Sequence, residues 1–142
     1  MRAGAPKPAM RTGDDLKKAL LAAKTVGYST GPSGVYLASL FERMGIGAEV
    51  KAKTRQVPSG QTVGPIIASG EAEIGFQQVS ELVHTPGIDL VGPLPPDVQH
   101  ITVFSCGTQR GAKQPDAARA LVAFLNTSAA DAVMIKHGLE PC

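Results

Sequence analysis

Tryptophan is absent from this chain, and its two tyrosines and four phenylalanines are scattered. That excludes a stacking platform for nucleic-acid bases. Charge of one sign is missing too, since 14 basic residues stand against 12 acidic ones for a net charge of +2. The basic residues are dispersed (Lys17-Lys18, Lys51, Lys53, Arg110, Lys113), so neither nucleic acid nor an anionic membrane surface is expected as a partner. Two cysteines, Cys106 and Cys142, make no disulfide framework. Cys106 closes the apolar run Ile101-Thr-Val-Phe-Ser-Cys106 and is expected to be a buried thiol. His84, His100 and His137 stand far apart, without metal-ligand spacing to Cys, Asp or Glu, so no metal and no cofactor is expected. No window reaches the roughly 18 consecutive apolar residues of a membrane span. The opening Met1-Arg-Ala-Gly-Ala-Pro-Lys-Pro8 lacks an apolar h-region, so it does not read as a secretory signal.

What is present supports one real core: 142 residues with 43% apolar content. After an extended lead-in over residues 1–11, Thr12 or Asp14 caps a helix expected at Asp14–Ala23, with Leu16, Ala19, Leu20 and Ala23 at helical spacing. Lys24–Ser29 reads as a strand. Ser33–Met44 reads as a helix with a stripe of Val35, Leu37, Leu40, Phe41 and Met44, ended by Gly45. Ala48–Thr54 reads as a half-wet strand on the alternation around Val50. A helix over Gln61–Ser69, a strand over Glu73–Gln77 and a short helix over Val79–Thr85 follow. Asp89–Leu94 and Ile101–Cys106 read as further strands. Two amphipathic helices, Asp116–Leu125 and Ala129–His137, close the chain, with Asn126-Thr-Ser128 able to cap the second. Strand and helix alternate, which predicts an α/β fold with a mostly parallel sheet flanked by helices.

In such sheets ligands lie beyond the carboxyl ends of strands, where helices begin. Three segments fall there: Ser29–Gly34, Ser59–Thr62 and Gln77–Ser80. The first is the most informative. Tyr28-Ser-Thr-Gly-Pro-Ser-Gly-Val-Tyr36 reads as a strand end, a small-residue turn and a helix start, which leaves N–H groups unpaired in a partial positive field. Thr30 and Ser33 add hydroxyls, and Gly34 permits close approach. Ser59-Gly60-Gln61 offers a second start of the same chemistry, and the amides of Gln77 and Gln78 are donors for a ligand oxygen. Together they describe an anion cradle without a cation. Taken alone, a capped helix after a tight turn explains the first segment equally well and the second better, and a surface pair at the sheet edge explains Gln77-Gln78 equally well. The Gly-Lys-Ser/Thr ending of a phosphate loop, the dinucleotide glycine spacing and the Gly-x-Ser-x-Gly elbow are all missing.

These residues, with Ala68-Ser-Gly-Glu-Ala-Glu-Ile-Gly-Phe-Gln-Gln78 and Asp89-Leu-Val-Gly-Pro-Leu94, give a resemblance over nearly the whole chain. It resembles the molybdate-type periplasmic solute-binding proteins, which have the two-lobed type II periplasmic binding fold. The resemblance implies that residues 1–98 form the second lobe and that residues 99–142 are the returning strand and C-terminal helices of the first. It also implies an N-terminally truncated chain, a small anionic ligand and, for full-length relatives, a periplasmic location and an ABC-type permease as partner. A chain with this N-terminus alone is expected in the cytoplasm. By resemblance the ligand is held at Thr30, Ser33, Gly34, Ser59, Gly60, Gln61, Gln77 and Gln78, with no catalytic residue among them. Molybdate binders usually carry a Tyr where Gln78 stands here, a departure that counts against molybdate itself and leaves room for an organic carboxylate beside a small oxyanion. A subgroup of the fold is similar to aconitate isomerases, which makes an enzyme acting on a tricarboxylate the alternative. The apolar stripes of the last two helices (Leu121, Val122, Phe124, Leu125; Val133, Met134, Ile135) need cover, so self-association through 99–142 is a further expectation.

Overall fold

A computed structural model describes residues 1–141, which separate into a unit spanning Met1–Ile101 and a second unit from Thr102 onward. The first unit is α/β. Its sheet holds three parallel strands in the order β2-β1-β3: β1 (Val26–Ser29), β2 (Thr54–Val57) and β3 (Ile74–Phe76). The register pairs Val26 with Thr54 and with Ile74.

Alternation along the strands creates two different faces. Val26, Tyr28 and Ile74 enter the larger core with Leu16, Leu20, Leu37, Leu40, Phe41, Ile46 and Val50. That core is covered by α1 (Gly13–Ala22), α2 (Pro32–Arg43) and α3 (Gly47–Ala52). Phe41 sits edge-on to both Tyr28 and Phe76. The other face presents glycine. A Cβ on Gly27 would lie 2.9 Å from Ala72 Cβ and 3.1 Å from Val63 Cγ1, and one on Gly75 would run into Ile67. The short helix α4 (Gly64–Ala68) therefore rests almost directly on the strand backbone, around a small cluster of Val63, Ile67 and Ala72.

Helix ends follow local chemistry. Thr12 caps α1 by accepting from Asp15 N–H at 3.2 Å. The Asp97 carboxylate accepts from Gly13 N–H at 2.9 Å, tying the turn Pro96–Val98 to the same helix end. Gly45 at φ +71 closes α2, with Ile46 N–H donating to Phe41 O at 3.0 Å. Tyr36 fastens the chain that leaves this turn: its hydroxyl donates to Val98 O at 2.7 Å, its ring stacks on His100, and Arg43 lies over it.

Three expected strands take other forms. Ala48–Thr54 is mostly the helix α3, and the strand begins only at Thr54. Ala48, Glu49, Lys51 and Ala52 are good helix formers, and Val50 alone docks in the core. Asp89–Leu94 forms no strand. Gly92 at φ +138 and the prolines around it break the ladder, leaving one antiparallel bridge between Arg2 and Ile88. Ile101–Cys106 is not paired with a strand among the described residues, and Ile101, Val103 and Phe104 are exposed. Cys106 is consequently exposed rather than buried.

In the second unit α6 (Pro115–Leu125) and α7 (Ser128–Lys136) pack on each other. Thr127 caps α7 by accepting from Ala130 N–H, and Gly138 at φ +76 ends it. Leu121, Phe124, Val133 and Ile135 are exposed. No single helix among the described residues is long and apolar enough to cross a membrane.

Candidate functional site

The parallel sheet brings the carboxyl ends of β1, β2 and β3 to one edge, and the chain turns out of each strand there. Out of β1 comes Thr30-Gly31, then α2. Gly31 is the extended N-cap of α2, makes no side-chain cap bond and is followed by Pro32. The Ser33 and Gly34 N–H groups therefore lie in the first turn of the helix without a capping side chain. Gly31 lies beside Ser29 Oγ and Ser59 Oγ, at 3.4 and 3.5 Å from where its Cβ would be. Gly34 has a different cause. It is buried, and a Cβ there would collide with the Ser29 carbonyl, so glycine lets the helix seat on the strand end.

Out of β2 comes Pro58-Ser59-Gly60-Gln61, a turn closed by Gln61 N–H donating to Pro58 O at 3.1 Å. Gly60 sits at its third position with φ +86, where an L side chain is strained. This loop is bound to β1 by Thr30 N–H donating to Val57 O at 2.9 Å and by Ser59 N–H donating to Thr30 Oγ1 at 2.7 Å. It is bound to β3 through Gln77, whose Oε1 accepts from Val63 N–H at 2.6 Å and whose Nε2 donates to Gln61 O at 3.2 Å. Gln78 is the extended N-cap of α5 (Val79–Leu82), and its side chain makes no cap bond.

The structure thus joins Thr30, Ser59, Gln61 and Gln77 through direct hydrogen bonds, with Ser33 and Gly34 following on the turn out of β1 and Gln78 on the turn out of β3. The side chains of Ser33, Ser59, Gln61 and Gln78 make no hydrogen bond among the described residues, so their donors remain available at the edge. Thr62 and Ser80 flank the same turns with further hydroxyls, inside segments of the same small, hydroxyl-rich composition. None of the three turns holds a titratable side chain. An anion here would meet neutral donors and the α2 dipole alone. A separate crevice of about 320 Å³ lies at the start of α1, lined by Thr12, Gly13, Lys17, Met44, Asp97 and Val98. Asp97 already occupies the helix N–H there, so that crevice is ill suited to an anion.

Comparison with known proteins agrees with this architecture. The family model described as bacterial extracellular solute-binding protein matches residues 1–140. A curated Pseudomonas protein named aconitate isomerase is 42% identical over 142 residues, covering 99% of this chain and 54% of its own length. The chain therefore spans about half the length of that relative. No solved structure matches.

Proposed function

This chain belongs to the bacterial extracellular solute-binding protein family, and from that premise we propose that its sheet edge is one side of a cleft for a small organic polycarboxylate or related oxyanion. The observation that carries this reading is the convergence of three strand ends on uncharged donors: α2 N–H groups, Ser33 and Ser59 hydroxyls, and the Gln61 and Gln78 amides. Such donors satisfy carboxylate lone pairs and gain strength where water is excluded. The identity to a protein named aconitate isomerase favours a tricarboxylate over molybdate. Delivery to an ABC-type permease, in a periplasmic full-length form, is the transport role this reading assigns.

A second reading has a specific support in the same relative: the protein acts on aconitate as an enzyme. Moving a double bond in a tricarboxylate requires a proton to leave one carbon and return to another, hence a poised base. The three turns supply none. Under this reading they grip the substrate and the base comes from elsewhere in the protein.

Calorimetric titration of the chain with trans-aconitate, citrate and molybdate separates these cases. One-sided contact predicts weak saturable binding of the carboxylates, with Kd on the order of 1 mM, and none of molybdate. Absence of saturable heat with either carboxylate would remove the polycarboxylate reading. Following trans-aconitate absorbance in the same mixtures should show no change; a sustained, protein-dependent loss would establish the enzyme reading instead.

A further inference from the structure

Two of the residues that the sequence points toward a ligand are already engaged with the protein itself. Thr30 Oγ1 holds Ser59 N–H at 2.7 Å, and Gln77 holds Val63 N–H at 2.6 Å and Gln61 O at 3.2 Å. The three bonds grip one loop, residues 58–63, from two strands. Thr30 reaches from the end of β1 and Gln77 from the end of β3. Residues 58–62 have little else to shape them. All are exposed, β2 lies at the sheet edge, and apart from these bonds they have only their own turn, Gln61 N–H to Pro58 O, among the described residues. Burial begins only at Val63. Between the two grips stand Ser59 Oγ and the Gln61 side-chain amide, which have no hydrogen-bond partner among the described residues.

We propose that Thr30 and Gln77 are positioning residues that fix the 58–63 loop in the shape that presents Ser59 and Gln61 to the ligand. The proposal rests on the reading of this edge as a polycarboxylate site and divides its residues into two roles. A loop ordered before binding spares the ligand the cost of ordering it. Gln77 is suited to the task because an amide both accepts and donates, and it meets one N–H and one C=O of the same loop two residues apart. Glutamate would lose the donation to Gln61 O and add charge beside an anion.

The experiment uses the whole chain with Thr30→Val, Thr30→Ser and Gln77→Met, reading amide hydrogen exchange at Ser59 and Val63 by NMR and trans-aconitate affinity by calorimetry. Thr30→Val should speed exchange at Ser59 by about ten-fold, and Gln77→Met should do so at Val63, as expected for loss of one hydrogen bond each. Each should weaken trans-aconitate binding by roughly five-fold, while Thr30→Ser, which keeps the hydroxyl, should match wild type in both measurements. Affinity lost with both amides exchanging as in wild type would overturn the proposal, because the side chains would then touch the ligand directly. Faster exchange with affinity unmoved would also overturn it, because loop shape would not matter. If the wild-type chain itself takes up no trans-aconitate, the polycarboxylate reading fails, and the exchange data alone decide whether these two side chains hold the loop.

Discussion

Gly34 and Gly60 show how one residue type invites two explanations. A glycine at a helix start suggests backbone left open for a ligand, yet Gly34 is buried against the Ser29 carbonyl. Its role is to let α2 seat on β1. Gly34→Ala would place a methyl on a backbone atom that cannot move independently, so about 3 kcal/mol of stability should be lost. Urea denaturation measures this, and an unchanged midpoint would show that the helix start has room to shift. Gly60 differs again, since φ +86 alone demands it. Composition identified these positions, but their reasons depend on neighbours distant in sequence: Thr30 meets Ser59 across 29 positions, and Gln77 meets Val63 across 14.

Among elements, the strongest local signals translated directly. Of the expected helical stripe Leu37, Leu40 and Phe41 are buried and Met44 is half-buried against them, whereas Val35 is exposed; Gly45, Gly70 and Gly138 all take positive φ at helix ends, and Thr12 and Thr127 cap as their positions suggest. Short apolar runs were harder to read. Ile101–Cys106 has strand composition, but a strand needs a partner, and none is present among the described residues. Amide exchange is expected to grade accordingly. Backbone amides of α1, β1 and α2, which surround the fully buried Leu16, Leu20 and Val26, should exchange slowest. Those of α6, which buries no residue, should exchange at least about a hundred-fold faster. Equal protection in α6 and α2 would show that α6 gains cover in solution.

For the whole molecule, the two units differ in how they treat apolar surface. The first closes a core around its sheet, whereas the second leaves Val103, Phe104, Leu121, Phe124, Val133 and Ile135 exposed. Apolar area on this scale favours association. Light scattering on the isolated chain is expected to give a mass that rises with concentration, and substitution of Phe124 and Ile135 by serine should lower it. A monomer of 14.7 kDa at every concentration would rule this out.

By itself the sequence determined the α/β class, the glycine and threonine ends of the helices, and the candidate turns, because caps, positive φ and periodicity are settled within a few neighbouring residues. Only the tertiary structure decided that residues 101–106 stay unpaired among the described residues, that Gly27 and Gly75 admit α4, and that Thr30 and Gln77 hold one loop between them. Those outcomes depend on which backbone or side chain arrives from far along the chain, and pairing and close packing exist only once both partners are in place.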